Sequence, residues 1–342
     1  MPLFRSRAPL RIGLAGGGTD VSPFSDLYGG VVLNATVDLY AHASLEPLDS
    51  RVIVIQSTDQ NEYESSTGEE MLLKLDGGKL DLLKGVCLSM ISRYGINCGF
   101  RLSTHLDAPG GSGLGTSSTL CVAIIGVFVE WLKLPMGEYE IAQLAFEIER
   151  VDLKLSGGKQ DQFCATFGGV NFMEFYGEKV VVNPLRIKPQ YLIELEQTLV
   201  LYYTGNSRLS SKIIEAQIKC VTSEDPSALE ATHDLKKQAI MMKEALLLGK
   251  LNLIGTILDY GWERKKKLSS VVTNPLLDEI YSTAKENGAL GGKISGAGGG
   301  GFMLFYCPSF SRFQVCRALQ KFEGEIRRFH FSNRGLISWQ SS

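Results

Sequence analysis

The sequence predicts an α+β fold of two lobes. Three observations carry this. Segments rich in Val, Ile and Leu alternate with segments of helical apolar spacing. The 342 residues suggest two domains, or one large one. A stretch at 183–196, with Pro184 and Pro189, reads as a connection between lobes at 1–188 and 189–342.

In chain order, residues 8–15 and 31–46 read as strands joined by the turn Gly16-Gly17-Gly18. Residues 51–56 read as a further strand. Leu80, Leu83, Val86, Cys87 and Met90 recur at helical spacing over 79–93. The alternation at 100–107 is that of a strand, and it runs into a glycine-rich loop at 110–115. The helix expected over 116–132 is apolar nearly all round, so it should be buried. A second helix is expected over 137–153. Beyond the connection, residues 198–205 read as a strand, followed by helices near 207–220, 226–248, 250–268 and 275–288. Strands flank a glycine run at 296–301. A helix near 310–322 and a strand near 326–331 follow.

The composition excludes several functions. Hydrophobic residues make up 44%, ample for a large core, and the net charge of -2 favours neither nucleic acid nor an anionic membrane. No apolar run is long enough to span a bilayer, and the first residues lack the apolar stretch of a secretory signal. The seven cysteines (Cys87, Cys98, Cys121, Cys164, Cys220, Cys307 and Cys316) include no CxxC spacing. They read as small core residues in a reducing cytoplasm rather than as a disulfide framework or a zinc site. His42, His105, His233 and His330 are scattered and read as structural. The charged run Glu263-Arg264-Lys265-Lys266-Lys267 reads as a solvated helix face.

Chemistry concentrates in three segments. The first is Pro109-Gly110-Gly111-Ser112-Gly113-Leu114-Gly115-Thr116-Ser117-Ser118. Glycines let backbone N–H groups curl towards an anion, and the helix starting at Thr116 adds its positive N-terminal pole. The hydroxyls of Thr116, Ser117 and Ser118 can donate to phosphate or ligate magnesium. No Gly-Lys-Ser/Thr ends the loop, so it is not a Walker A sequence.

The second segment holds two acids. At 100° per residue from Ile141, the stripe of Leu144, Ala145, Ile148 and Val151 is buried. Glu149 falls at its edge, placed to hold a metal, while Glu147 and Arg150 point further away. Asp161, after Gly157-Gly158, is presented at the start of the next element. Magnesium-dependent phosphoryl transfer needs an acid for the metal and a group that orients the attacking hydroxyl.

The third segment, Lys293-Ile294-Ser295-Gly296-Ala297-Gly298-Gly299-Gly300-Gly301, contains G-x-G-x-x-G. A strand follows it where a dinucleotide site would have a helix. The better reading is a backbone loop packed on the phosphates or on the first glycine loop.

Together these segments resemble the GHMP kinases. The motif P-x-x-x-G-L-G-S-S is similar to Pro109–Ser118, with Thr116 for one serine and one extra residue. K-x-x-G-A-G-x-G-G matches Lys293–Gly301, and A-P-x-R-x-x-L-x-G matches Ala8–Gly16. The resemblance implies an N-terminal lobe like the second domain of ribosomal protein S5, and a ferredoxin-like C-terminal lobe. It implies ATP as donor, bound by Pro109–Ser118, with Mg2+ held by Glu149 and a hydroxyl of Ser117 or Ser118. Asp161 would be the base and Arg11 would stabilise the transferring group. Gly17, Gly18, Thr19, Asp20, Gly158, Lys159, Lys293, Gly296, Ala297 and Gly298 would bind the acceptor.

Within the family, Leu14–Asp20 departs from the galactokinase signature G-E-H-T-D. With 34–40, 137–150, 157–162 and 167–176, it is similar to members acting on D-glycero-D-manno-heptose 7-phosphate and to the fucokinase part of fucose-salvage enzymes. That implies transfer to an anomeric hydroxyl. A phosphate already on the acceptor would need basic partners, and Lys159, Arg208, Lys212 and Lys293 are candidates. The implied partners are a sugar phosphate and a nucleotide, without nucleic acid or membrane. Another acceptor sugar, a non-catalytic binding homologue and a glycine-loop dehydrogenase are the alternatives.

Overall fold

The computed structural model describes residues 2–66, 74–205, 210–222 and 226–341. The first lobe is built on a sheet of β1 (Leu3–Ala15), β2 (Gly30–Leu48), β3 (Ile53–Ser57), β4 (Glu62–Ser65), β5 (Gly99–Leu106), β6 (Val170–Tyr176) and β7 (Lys179–Pro184). Its main path runs β1-β2-β5-β3-β4, while β6 pairs with the first half of β2 and carries β7. Among the described residues only β3 and β5 pair in parallel. The turn expected between β1 and β2 is longer than a glycine turn and contains a short helix, α1 (Phe24–Tyr28).

Three helices cover the sheet: α2 (Asp81–Tyr94), α3 (Thr116–Leu132) and α4 (Glu138–Phe146). α3 matches the residues expected from its apolar run and is buried from Leu120 to Phe128. Each large apolar side chain it buries contributes about 1.5–3 kcal/mol. The helix expected over 137–153 changes character: after α4, residues Glu147–Asp152 form a π turn. The wider i→i+5 winding breaks the 100° count used above. Val151, expected in the buried stripe, is therefore exposed, and Glu149 is 1% exposed rather than at an edge. α5 (Gln160–Phe167) follows and carries Asp161 in its first turn.

The expected connection at 183–196 is a helix over most of its length, α6 (Pro189–Thr198). Pro189 sits at the start, where its missing N–H costs nothing. The second lobe then runs β8 (Leu199–Tyr203), α7 (Ser210–Thr222), α8 (Pro226–Leu248), α9 (Ile254–Leu268), α10 (Pro275–Glu286), β9 (Gly291–Ile294), β10 (Phe302–Tyr306), α11 (Ser311–Leu319) and β11 (Glu325–Arg327). Its strand order β11-β8-β10-β9, antiparallel throughout, is the ferredoxin-like arrangement. A last strand, β12 (Ile337–Ser341), returns to the first lobe and pairs with β1, Leu3 opposite Ser341.

The lobes share a core. Leu10, Ile12 and Leu33 of the first sheet pack in one cluster with Leu201, Met242, Leu258 and Leu304 of the second lobe. The walls of the cleft above this cluster are thus held by common packing.

Candidate active site

Between the lobes lies a cleft of about 440 Å³. All three glycine-bearing segments reach it. From the first loop, Gly110, Gly111, Gly113, Gly115 and the first turn of α3 line it. No side chain caps the N-terminus of α3, so its leading N–H groups remain open to an anion. The second glycine run packs on the first, backbone to backbone. Ser295 Oγ donates to Gly113 O at 2.9 Å, and Phe302 N donates to Ser112 O at 2.8 Å. Gly296 has φ 77°. A Cβ there would stand 2.7 Å from Gly113 Cα, too close for any other residue without a shift.

Arg11 and Asp161 form a bidentate pair at the centre. Arg11 Nε donates to Oδ1 at 2.7 Å and Nη2 to Oδ2 at 2.9 Å. Arg11 Nη1 donates to the Gly113 carbonyl as well. Burial works against the Arg11 charge, but the Asp161 carboxylate outweighs it and raises the guanidinium pKa.

Beside the helix pole, Ser117 Oγ donates to Glu149 Oε1 at 2.6 Å. Gln162 Nε2 donates to Glu149 Oε2 at 2.7 Å and to Ser118 Oγ at 3.1 Å. Arg150, expected to point away, lies 3.3 Å from Glu149 Oε1 because of the π turn. Ser117 is exposed to the cleft, whereas the Ser118 hydroxyl is already engaged by Gln162 and Arg150. Ser117 and Glu149 together offer hard oxygen donors, which suit magnesium with bound phosphates and water completing its shell.

Beside the start of α5 stands Asp20. Its carboxylate accepts from Gly18 N at 3.2 Å, Gln160 N at 3.2 Å and Gln160 Nε2 at 3.0 Å. Burial raises its pKa, and the Asp161 charge adds to the effect. Gly158 lies against it so closely that a Cβ would overlap Asp20 Oδ2.

Comparison with known proteins decides what this cleft belongs to. The GHMP kinases N terminal domain matches residues 81–169, and the GHMP kinases C terminal domain matches 242–324. The chain is 46% identical to a D-glycero-alpha-D-manno-heptose 7-phosphate kinase of Campylobacter jejuni, over 99% of this chain and 100% of that one. The chain belongs to the GHMP kinases. A solved GHMP kinase structure, a D-glycero-D-manno-heptose 1-phosphate kinase from Bacteriodes thetaiotaomicron, matches with TM-score 0.84 and 42% identity over 99% of both chains. The L-fucokinase/L-fucose-1-P guanylyltransferase of Bacteroides fragilis is 29% identical, over 87% of this chain and 34% of that protein.

In this GHMP kinase the residues expected at the site fall into two groups. Lining the cleft are Arg11, Gly17, Gly18, Asp20, Gly158, Asp161, Lys293, Gly296 and Ala297, with Glu149, Ser117 and Ser118 at the helix pole. Others stand outside it. Thr19 Oγ1 is spent on Gly16 O at 2.9 Å and Val31 O at 2.8 Å. Lys159 donates to the Gly177 carbonyl and lies over the Phe146 ring. Gly298 abuts Val272, Leu114 joins the shared core, and Pro109 and Ser112 do not line the cleft. Arg208 and the side chain of Lys212 lie outside the described residues.

One correction concerns the charged run 263–267. Lys265 is 3% exposed and lines the cleft. It shares the inward stripe of α9 with Ile254, Ile257, Leu258, Gly261, Trp262 and Leu268. The stripe was visible in the i, i+3, i+4 spacing, but the surrounding charges masked it.

Proposed function

We propose that this kinase transfers a phosphoryl group from ATP to the anomeric hydroxyl of D-glycero-D-manno-heptose 7-phosphate. The product is the 1,7-bisphosphate, for nucleotide-activated heptose and surface polysaccharide synthesis. The observation that carries the reading is the convergence of an open helix pole, the Ser117–Glu149 pair and the Arg11–Asp161 pair on one cleft. Full-length similarity to a heptose 7-phosphate kinase supports the acceptor.

The amides of residues 110–116 bind and orient the triphosphate. Asp161 keeps lone pairs beyond those engaged by Arg11, so it can accept a hydrogen bond from the sugar hydroxyl. The new O–P bond forms as the bond from Pγ to the β-phosphate oxygen breaks. Asp161 takes the hydroxyl proton late, ADP leaves, and Arg11 steadies charge on the transferring oxygens. Ser117 and Glu149 would hold magnesium, whose chemistry is to neutralise phosphate charge. Asp20 accepts hydrogen bonds from sugar hydroxyls, and Lys293, Gly296 and Ala297 border the acceptor. A cytoplasmic location belongs to the same proposal. The free, buried thiols of Cys87, Cys121, Cys164 and Cys307 suit a reducing compartment, and among the described residues no helix is long and apolar enough to cross a membrane.

A second acceptor is named by the solved relative, a heptose 1-phosphate kinase. Labelled ATP offered with heptose 7-phosphate, heptose 1-phosphate, fucose and galactose separates the two, with product position read by NMR. Label at C1 of the 7-phosphate is expected. Transfer only to the 1-phosphate, or only to an unphosphorylated sugar, overturns the reading.

A further inference from the structure

We infer that Lys265 recognises the phosphate the acceptor already carries, and so lets the kinase prefer a sugar phosphate over the free sugar. The inference rests on the functional reading above. Its ground is an unbalanced buried charge.

Lys265 is buried on α9, and among the described residues its one hydrogen-bond partner is the carbonyl of Gly296. An ammonium has three donors, so two remain for the cleft it lines. Lys293 is likewise buried, and among the described residues its Nζ donates to Gly13 O at 2.9 Å. Arg11 completes a group of three basic side chains, and burial first, then Lys265 and Arg11, push the Lys293 ammonium well below the ordinary lysine range. Two carboxylates, Asp161 and Asp20, stand against these three basic groups, and Asp161 is already taken by Arg11. A buried excess of positive charge is costly unless an anion completes it. The same imbalance pushes the Lys265 ammonium down to about 8, with burial as the first cause and Arg11 the second.

A phosphate monoester fits this gap, and two sources exist: the γ-phosphoryl of the donor and the acceptor's own phosphate. Placement favours the acceptor. The neighbours of Lys265 are Gly296, Lys293, Arg11 and Asp20, and Asp20 stands on the Gly17–Val21 wall. Lys265 makes no direct hydrogen bond or ion pair to the triphosphate loop 110–118, but its partner Gly296 packs on Gly113 of that loop, so the KM for ATP separates the two sources. The transferring phosphoryl has its own partners there, in the helix pole and Arg11.

The test is the ratio of kcat/KM for heptose 7-phosphate to that for the dephosphorylated heptose, in wild type and in Lys265→Met, with the KM for ATP measured in parallel. Lys265→Gln serves as a second variant should Met perturb folding. The ratio is expected to fall 10- to 100-fold, the range for a lost hydrogen bond to a charged group. That fall should come through a raised KM for the sugar phosphate, with the KM for ATP moving far less. The free variant should melt higher than wild type, since a buried charge has gone. An unchanged ratio overturns the inference, and so does an equal loss on both acceptors with a raised KM for ATP, which would mark a γ-phosphoryl contact. If wild type transfers to no heptose phosphate at all, the functional reading fails instead.

Discussion

Asp161 and Lys265 show how single side chains divide the labour of the cleft. Asp161→Asn keeps the shape but removes the proton acceptor and the charge that Arg11 pairs with. Turnover is expected to fall about 10²- to 10⁴-fold, while ATP binding measured by calorimetry persists. Unchanged turnover would remove Asp161 from its role. Lys265 makes a prediction in the free protein. Its pKa is about 8 when folded, against an ordinary 10.5. Between these values the unfolded chain binds the proton and the native one does not, so stability rises with pH across that window. Below pH 8 the cost of burying the ammonium is present in full, about 3 kcal/mol. Urea unfolding of wild type and Lys265→Met should show the variant more stable at pH 7, with the gap narrowing from pH 8 and closing only above the unfolded value of 10.5. A gap that stays constant over that range would show that Lys265 does not titrate there.

Among the elements, α3 was legible from its sequence end to end, because an apolar run bounded by a glycine loop leaves one solution. The π turn at Glu147–Asp152 was not, since nothing in the residue types announces an i→i+5 winding. Glu149 was therefore found by its proximity to an apolar stripe, but its burial was understated and Arg150 was sent the wrong way. β4, β6, β7 and β12 were missed: β6 and β12 pair with strands far along the chain, while β4 and β7 close local hairpins on β3 and β6 that their short segments did not announce. Arg11, Asp161 and the two glycine loops were readable as motifs, whereas Gln162 depends on where its helix docks and Lys265 lay in an apolar stripe that its charged neighbours masked. Two element-level predictions follow from contacts. Glu149→Gln should raise the magnesium concentration for half-maximal activity, read by titrating the metal in the transfer assay; an unchanged titration would take Glu149 out of metal binding. Gly158→Ala forces a methyl into Asp20. It should destabilise by about 1–3 kcal/mol and raise the KM of the sugar more than that of ATP, and equal effects on both substrates would contradict Asp20's assignment to the sugar.

At the scale of the molecule, two sheets share one apolar cluster, so cleft geometry and global stability are coupled. Deleting residues 337–341 removes the five β1 pairings from Leu3 to Arg7. Thermal unfolding of that deletion should shift down by about 5 °C or more; an unmoved transition would show β12 to be dispensable. The same pairing sets a schedule for the growing chain. The first sheet is written by the ribosome up to Pro184, yet the strand that covers the edge of β1 comes only with Ile337–Ser341. At 5–20 residues per second that interval lasts roughly eight to thirty seconds. Through it, the nascent polypeptide carries an open β edge of the kind that recruits stray strands, and translation itself must keep that edge out of trouble until its own late segment arrives.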